Sequence, residues 1–105
     1  MKSASAKAKG RRLQQKVRDL LTAHLKLEPG DIESRSSGAN GVDLLLSPRA
    51  RAAFPYDIEI KNVERLNLWT AWAQTEANAT LTPLLIVARN GQRPLAILDL
   101  EAFLA

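Results

Sequence analysis

Three residues in the middle of the chain have the types and the spacing of a small metal site. Asp43 is followed after fifteen intervening residues by Glu59, and one apolar residue then separates Glu59 from Lys61. Two carboxylates can hold a hard divalent cation, and a neighbouring ammonium can stabilise an anion that the cation binds. A turn aspartate beside a cross-strand ion pair would give the same spacing. The chain has one histidine and no cysteine, so any metal must be held by oxygen.

Two short strands are predicted to bring these groups together. Residues 42–46 are mostly apolar, and residues 56–61 alternate between apolar and polar side chains. The two segments are bounded by Gly, Ser-Pro and Pro. Side chains alternate along a strand, so Glu59 and Lys61 should share one face, and the two neighbouring isoleucines should share the other. Because the isoleucines need burial, we expect the Glu59 face to be exposed to solvent. Pairing of the two strands would bring Asp43 to Glu59.

The remaining elements follow from hydrophobic periodicity, caps and helix breakers. We expect helices over about 9–26, 48–53, 67–78 and 99–104, and strands over 31–35, 84–89 and 94–98. This order predicts one α/β layered domain over residues 9–105, with a central mixed sheet flanked by helices. Residues 1–8 are small and basic and are expected to form a flexible arm. Trp69 and Trp72 are expected in the core, with base stacking as the alternative.

Composition and charge restrict the partners. Hydrophobic residues make up 46% and charged residues 25%, as in ordinary globular domains. No apolar run is long enough to span a membrane and the N-terminus lacks the apolar segment of a signal peptide, so a cytoplasmic protein with no membrane partner is expected. The net charge is +4, yet residues 1–18 carry seven cations and no acid. Such a block suits a polyanion such as DNA, although a solvated tail also fits it. The candidates for contact with a phosphate backbone are Lys7, Lys9, Arg11, Arg12, Arg49 and Arg51.

The chain resembles the PD-(D/E)xK nuclease superfamily. Asp43 stands at the first acid of that motif and Glu59-Ile60-Lys61 at its E-x-K. Lys9-Gly10 and Ser36-Ser37-Gly38 are similar to archaeal-type Holliday junction resolvases of the superfamily. The pattern from Lys7 to about Phe103 is also similar to small phage-encoded nucleases; that similarity includes Trp69, Gln74 and Asp99-Leu100-Glu101.

The resemblance implies a restriction-endonuclease-like fold and a metal-dependent endonuclease that hydrolyses phosphodiesters of branched DNA in recombination or replication. Asp43, Glu59 and the carbonyl oxygen of Ile60 would hold Mg²⁺, for which Mn²⁺ can substitute. The cation would bind a phosphate oxygen and acidify a water molecule. Lys61 would orient or help deprotonate that water and stabilise the developing charge. Ser37 would donate a hydrogen bond to the phosphate or, equally, cap its own loop.

One position departs from the resolvases. They carry a glutamate on the first helix, where this chain has Gln14. The amide carbonyl can still orient a water, but it adds no negative charge to a metal site. Gln14 therefore favours the alternative function, a non-catalytic DNA-binding relative with the same fold.

Symmetric cutting of a branched DNA would need two active sites, and hence a homodimer. Trp69, Leu81 and Phe103 are the apolar candidates for its interface.

Overall fold

The order of elements agrees with the sequence expectation. A computed structural model describes residues 2–35 and 41–105. Its helices are α1 (Lys2–His24), α2 (Pro48–Ala53), α3 (Leu68–Asn78) and α4 (Leu100–Leu104), and its strands are β1 (Ile32–Ser34), β2 (Leu44–Leu46), β3 (Tyr56–Asn62), β4 (Thr82–Ala88) and β5 (Leu95–Ile97). No helix among the described residues is long and apolar enough to cross a membrane.

Helix α1 begins earlier than predicted. It starts at Lys2 rather than near Lys9. The intervening residues are lysines, alanines and serines without glycine or proline, so nothing in them breaks a helix. The other helix starts agree with their predicted caps, since Ser47, Asn67 and Asp99 accept hydrogen bonds from the backbone amides three residues on.

The main sheet is mixed, as expected. It has three strands in the order β3-β4-β5. Strands β3 and β4 are parallel, with Tyr56 opposite Thr82 and Asn62 opposite Ala88, and β5 runs antiparallel to β4. Helix α3 forms the crossover that a parallel pair requires. Strands β1 and β2 form a separate antiparallel pair, so β2 does not pair with β3 in a ladder.

Helices cover both faces of the main sheet. On one face, Ile58 and Ile60 of β3 are buried in a cluster with Leu13 and Val17 of α1. On the other face, Leu85 of β4 is fully buried, and α3 packs over β3 and β4. Because both faces are covered, the side chains of β3 are buried in both directions, and this decides the environment of Glu59.

Helix α3 meets the sheet with small residues and not with its tryptophans. Its buried residues are Ala71 and Thr75, and the Thr75 hydroxyl donates to the Ala71 carbonyl over 2.8 Å. Trp69 is 78% exposed, and Trp72 is half-buried. The prediction of two core tryptophans is therefore wrong. Small residues allow the helix to lie close to the sheet, and the ring of Trp69 is left on its outer side.

Candidate active site

Asp43 lies where the two sheets meet. Its carbonyl accepts a hydrogen bond from the Arg35 amide over 2.9 Å, and its own amide donates to the Ile58 carbonyl over 3.0 Å. Its side-chain Oδ2 accepts from the Ile60 amide over 2.7 Å. These bonds bring Asp43 to β3 in place of the predicted strand pairing.

Glu59 is buried, contrary to the expectation of a solvent-exposed face. It is only 7% exposed, because α3 covers the side of β3 from which it projects. The Asn78 side-chain amide, at the end of α3, donates to Glu59 Oε1 over 3.0 Å. The carboxyl is thus held in one orientation beside Asp43.

Burial raises the pKa of Glu59 from 4.5 to about 7. The negative charge of Asp43 and a hydrogen bond between the two carboxyl groups raise this pKa as well. The hydrogen bond from Asn78 and the positive charge of Lys61 lower it. Without a cation, therefore, the folded protein holds a proton at Glu59 up to about neutral pH. A bound cation would replace that proton.

A cleft of about 610 Å³ contains these groups and is here called the Asp43 cleft. Seven of the predicted catalytic, metal-binding or DNA-binding residues line it, namely Lys7, Arg11, Gln14, Asp43, Glu59, Ile60 and Lys61. Lys61 is half-buried and shares a face of β3 with Glu59, as the strand alternation predicts. The cleft is lined by four cations and two carboxylates, so its rim suits an anionic substrate and its floor suits a cation.

Gln14 lines the Asp43 cleft, but its carbonyl is already engaged. The side chain is 9% exposed, and Oε1 accepts a hydrogen bond from the Ser34 hydroxyl over 2.6 Å. The group of Gln14 left without a partner among the described residues is the amide nitrogen, which is a donor. A role for the Gln14 carbonyl in orienting water would have to use its second lone pair.

Sequence reasoning missed Arg35 and Asn78. Arg35 lines the Asp43 cleft, is half-buried, and forms no ion pair with any residue that the structure describes. Gly41, at φ +94°, lies beside it, and a side chain there would be 3.6 Å from the Arg35 guanidinium. No periodic pattern identifies Arg35. Asn78 carried a signal, because it lies four residues after Gln74 and so on the same face of α3.

Several predicted contact residues lie away from the Asp43 cleft. Lys9 and Arg12 line a different groove, on the other side of α1. Arg49 and Arg51 are exposed on α2 and are not among the residues that line the cleft. Ser37 lies outside the described residues.

The donor set of the Asp43 cleft fits Mg²⁺. The described residues contain no group of three or more His, Cys, Asp or Glu that could hold a metal, so they offer no closed cage. Mg²⁺ does not need one, since it keeps several waters and is often held by one or two carboxylates together with substrate phosphate. Asp43 offers a carboxylate beside Glu59, and Glu59 offers a buried carboxyl that only a cation or a proton can neutralise.

Comparison with known proteins identified no relative of this chain. No protein-family model, no curated protein and no solved structure matches the chain. Inferences about function therefore depend on the geometry of the cleft and on the residues that line it.

Proposed function

We propose that the chain is a metal-dependent DNA endonuclease of the PD-(D/E)xK superfamily with a restriction-endonuclease-like fold, active in the cytoplasm. The observation that supports this proposal most strongly is the buried Glu59 carboxyl beside Asp43. A carboxylate that is buried next to a second carboxylate destabilises a protein that has no cation to neutralise it. The cations around the pair are suited to an anionic substrate. A protein that only binds DNA gains nothing from two acids facing a phosphate.

Each residue of the Asp43 cleft then has a distinct task. When bound, Mg²⁺ or Mn²⁺ supplies Lewis-acid chemistry, which neutralises phosphate charge and acidifies water. Asp43 is held by the Ile60 amide and Glu59 by Asn78, so both ligands are oriented before the substrate arrives. Lys61 lies beside Glu59, where its ammonium can orient the attacking water and stabilise charge developing on the phosphate.

The cations of the cleft rim hold the substrate. Arg35 has no acidic partner among the described residues, so its guanidinium can make two parallel hydrogen bonds to one phosphate. Lys7 and Arg11 project from α1 into the same cleft and extend the contact to neighbouring phosphates.

The alternative is a non-catalytic DNA-binding protein with the same fold. Gln14 favours it, because the residue leaves the metal site with two carboxylates and is tied to Ser34. A single assay separates the two functions. Branched, nicked and linear DNA are each incubated with the protein in Mg²⁺, Mn²⁺ or EDTA. We expect cleavage of branched DNA with either metal and none in EDTA, whereas binding without cleavage under every condition would favour the alternative.

Gln14→Glu is expected to tighten Mn²⁺ binding by on the order of tenfold, because it adds a third negative charge to the cleft. The glutamate can still accept the hydrogen bond from Ser34. Calorimetric titration with Mn²⁺ in the absence of DNA measures the change. Gln15→Glu adds the same charge on the exposed side of α1 and should leave the Mn²⁺ affinity unaltered. Equal affinities of Gln14→Glu and the wild type would show that residue 14 does not face the cation.

We also propose that the protein acts as a homodimer, since paired cuts in two strands need two sites. Large apolar side chains on α4 and β5 support this: Leu95, Leu100, Phe103 and Leu104 are each more than 60% exposed. Trp69 is a further exposed candidate, whereas Leu81 is half-buried. Phe103→Ser is expected to shift the protein from dimer to monomer in sedimentation velocity. A wild type that sediments as a monomer at high concentration would contradict the proposal.

A further inference from the structure

Helix α1 carries cations in two rows, one on each side of its buried stripe. Lys9, Arg12 and Lys16 recur at i, i+3 and i+7 and therefore share one flank of the helix. Lys7, Arg11 and Arg18 recur at i, i+4 and i+11 and share the other flank. The buried stripe between the two rows contains Leu13 and Val17, which pack on the sheet. Only the second row reaches the Asp43 cleft, through Lys7 and Arg11.

The first row faces a groove of about 300 Å³ between α1 and the turn that joins β4 to β5. We call it the Lys9 groove. Arg89, at the end of β4, adds a fourth cation to its wall, and the Glu64 carboxylate lies at its edge, close to Lys9 and Arg89. The Asn62 amide oxygen lies in its wall, buried and without a hydrogen-bond partner among the described residues. The Lys9 groove is thus cationic and has an unused acceptor for an ordered water or a ligand donor.

Contacts across the Lys9 groove hold its two walls in place. The Glu64 carboxylate accepts a hydrogen bond from the backbone amide of Asn90 over 2.7 Å and pairs with the Lys9 ammonium over 3.4 Å. The side-chain amide of Asn62 donates a hydrogen bond to the backbone carbonyl of Lys9 over 3.3 Å. Because the Glu64 side chain is 53% exposed, its ion pair is weak and leaves Lys9 able to contact another anion.

We propose that the Lys9 groove binds the phosphate backbone of the second strand of a DNA duplex whose first strand lies in the Asp43 cleft. The assignment of the first strand depends on the proposed function. An α-helix with its side chains is about 10–12 Å across, and the major groove of B-DNA is about 12 Å wide. A duplex that receives α1 in its major groove therefore presents one strand to each row of cations.

The proposal explains why the cations on α1 are divided. A single strand in the Asp43 cleft can reach Lys7 and Arg11 but not Arg12 or Lys16, since the body of α1 lies between them. Contacts in the Lys9 groove are to phosphates, so they add affinity without reading sequence. They should add that affinity only for duplex DNA.

The test compares duplex with single-stranded DNA. The double variant Arg12→Ala/Arg89→Ala removes two cations from the Lys9 groove and leaves the Asp43 cleft intact. Affinities are measured in EDTA, where no cutting occurs, over a range of salt concentrations. For duplex DNA, the slope of log K against log salt should become shallower by about two units, because each phosphate contact contributes about −0.9. For single-stranded DNA of the same length, the slope should not change.

Lys26→Ala/Arg65→Ala is the matched control. It removes the same charge from exposed positions that line neither the Asp43 cleft nor the Lys9 groove. Circular dichroism of both double variants checks that they fold. The proposal is overturned if the groove variant retains the wild-type duplex slope, if it loses as much slope on single-stranded DNA, or if the control loses as much as the groove variant.

Failure of this proposal can be told apart from failure of the proposed function. Suppose that the wild type cuts no DNA in Mg²⁺, but that Arg12→Ala/Arg89→Ala has a shallower slope of log K against log salt than the wild type on duplex DNA. The second-strand site then stands and the nuclease assignment falls. If the wild type cuts DNA and the groove variant keeps its slope, the nuclease assignment stands and the second-strand site falls.

Discussion

Replacement of Glu59 by glutamine is expected to lower Mg²⁺-dependent DNA cleavage by at least about 100-fold while the protein stays folded. The amide has nearly the shape of the carboxyl, and its oxygen can still accept the hydrogen bond from Asn78. What it loses is the negative charge that would hold the cation next to Asp43. The rate of cleavage of branched DNA at saturating Mg²⁺ measures the effect, and circular dichroism verifies the fold.

Glu76→Gln is the control for this variant. Glu76 lies on α3 two residues before Asn78, but it is exposed and does not line the Asp43 cleft. Its replacement removes the same charge from the same helix and should leave cleavage unchanged. If Glu59→Gln cuts DNA within a few-fold of the wild-type rate, Glu59 is not a metal ligand and the nuclease assignment fails.

The same variant is expected to stabilise the metal-free protein at neutral and alkaline pH. The pKa of Glu59 is about 7 in the folded state and 4.5 in the unfolded chain. Below pH 4.5 both states bind the proton, so the carboxyl costs no stability. As the pH rises from 4.5 through 7, the unfolded chain releases the proton first and the free energy of unfolding falls, by about 3 kcal/mol in total. Glutamine does not titrate, so Glu59→Gln does not lose this stability.

Urea unfolding of both proteins in EDTA, at several values of pH, measures this difference. The two free energies of unfolding should be nearly equal close to pH 4.5 and should diverge up to pH 8, with the variant the more stable. Addition of Mg²⁺ should stabilise the wild type at pH 8 and have little effect on the variant. A constant difference between the two proteins across this pH range would mean that Glu59 ionises normally.

Local sequence signals were sufficient to predict most of the helices and strands. Ser47-Pro48, Asn67 and Asp99 start helices as their capping chemistry predicts. Strand alternation correctly put Glu59 and Lys61 on one face of β3. These features depend on interactions between residues a few positions apart, which the order of residue types encodes directly.

The environment of the β3 face that carries Glu59 and Lys61 could not be predicted in the same way. The isoleucines of β3 indicate that one face is buried, but they do not indicate that α3 also covers the other. The two tryptophans indicated that their side of α3 would face the sheet. The side that does face the sheet carries Ala71 and Thr75, because these small residues allow a closer approach. Asn78 reaches Glu59 across nineteen positions of sequence, and Ser34 reaches Gln14 across twenty. Such contacts depend on how whole elements pack.

The long range of these contacts has a consequence for the order of folding. Lys9 bonds with Asn62 and Glu64, which are 53 and 55 positions away, and the parallel pairing of β3 with β4 can form only after α3 has crossed over. Closing such large loops costs chain entropy before any contact compensates, so folding is slow compared with that of a helical bundle of the same length. Glu59 is covered, and its carboxyl is bound by Asn78, only when α3 is in place. During synthesis the proposed metal site is therefore incomplete until α3 has left the ribosome, and a truncated product that ends before α3 should not bind Mg²⁺ there.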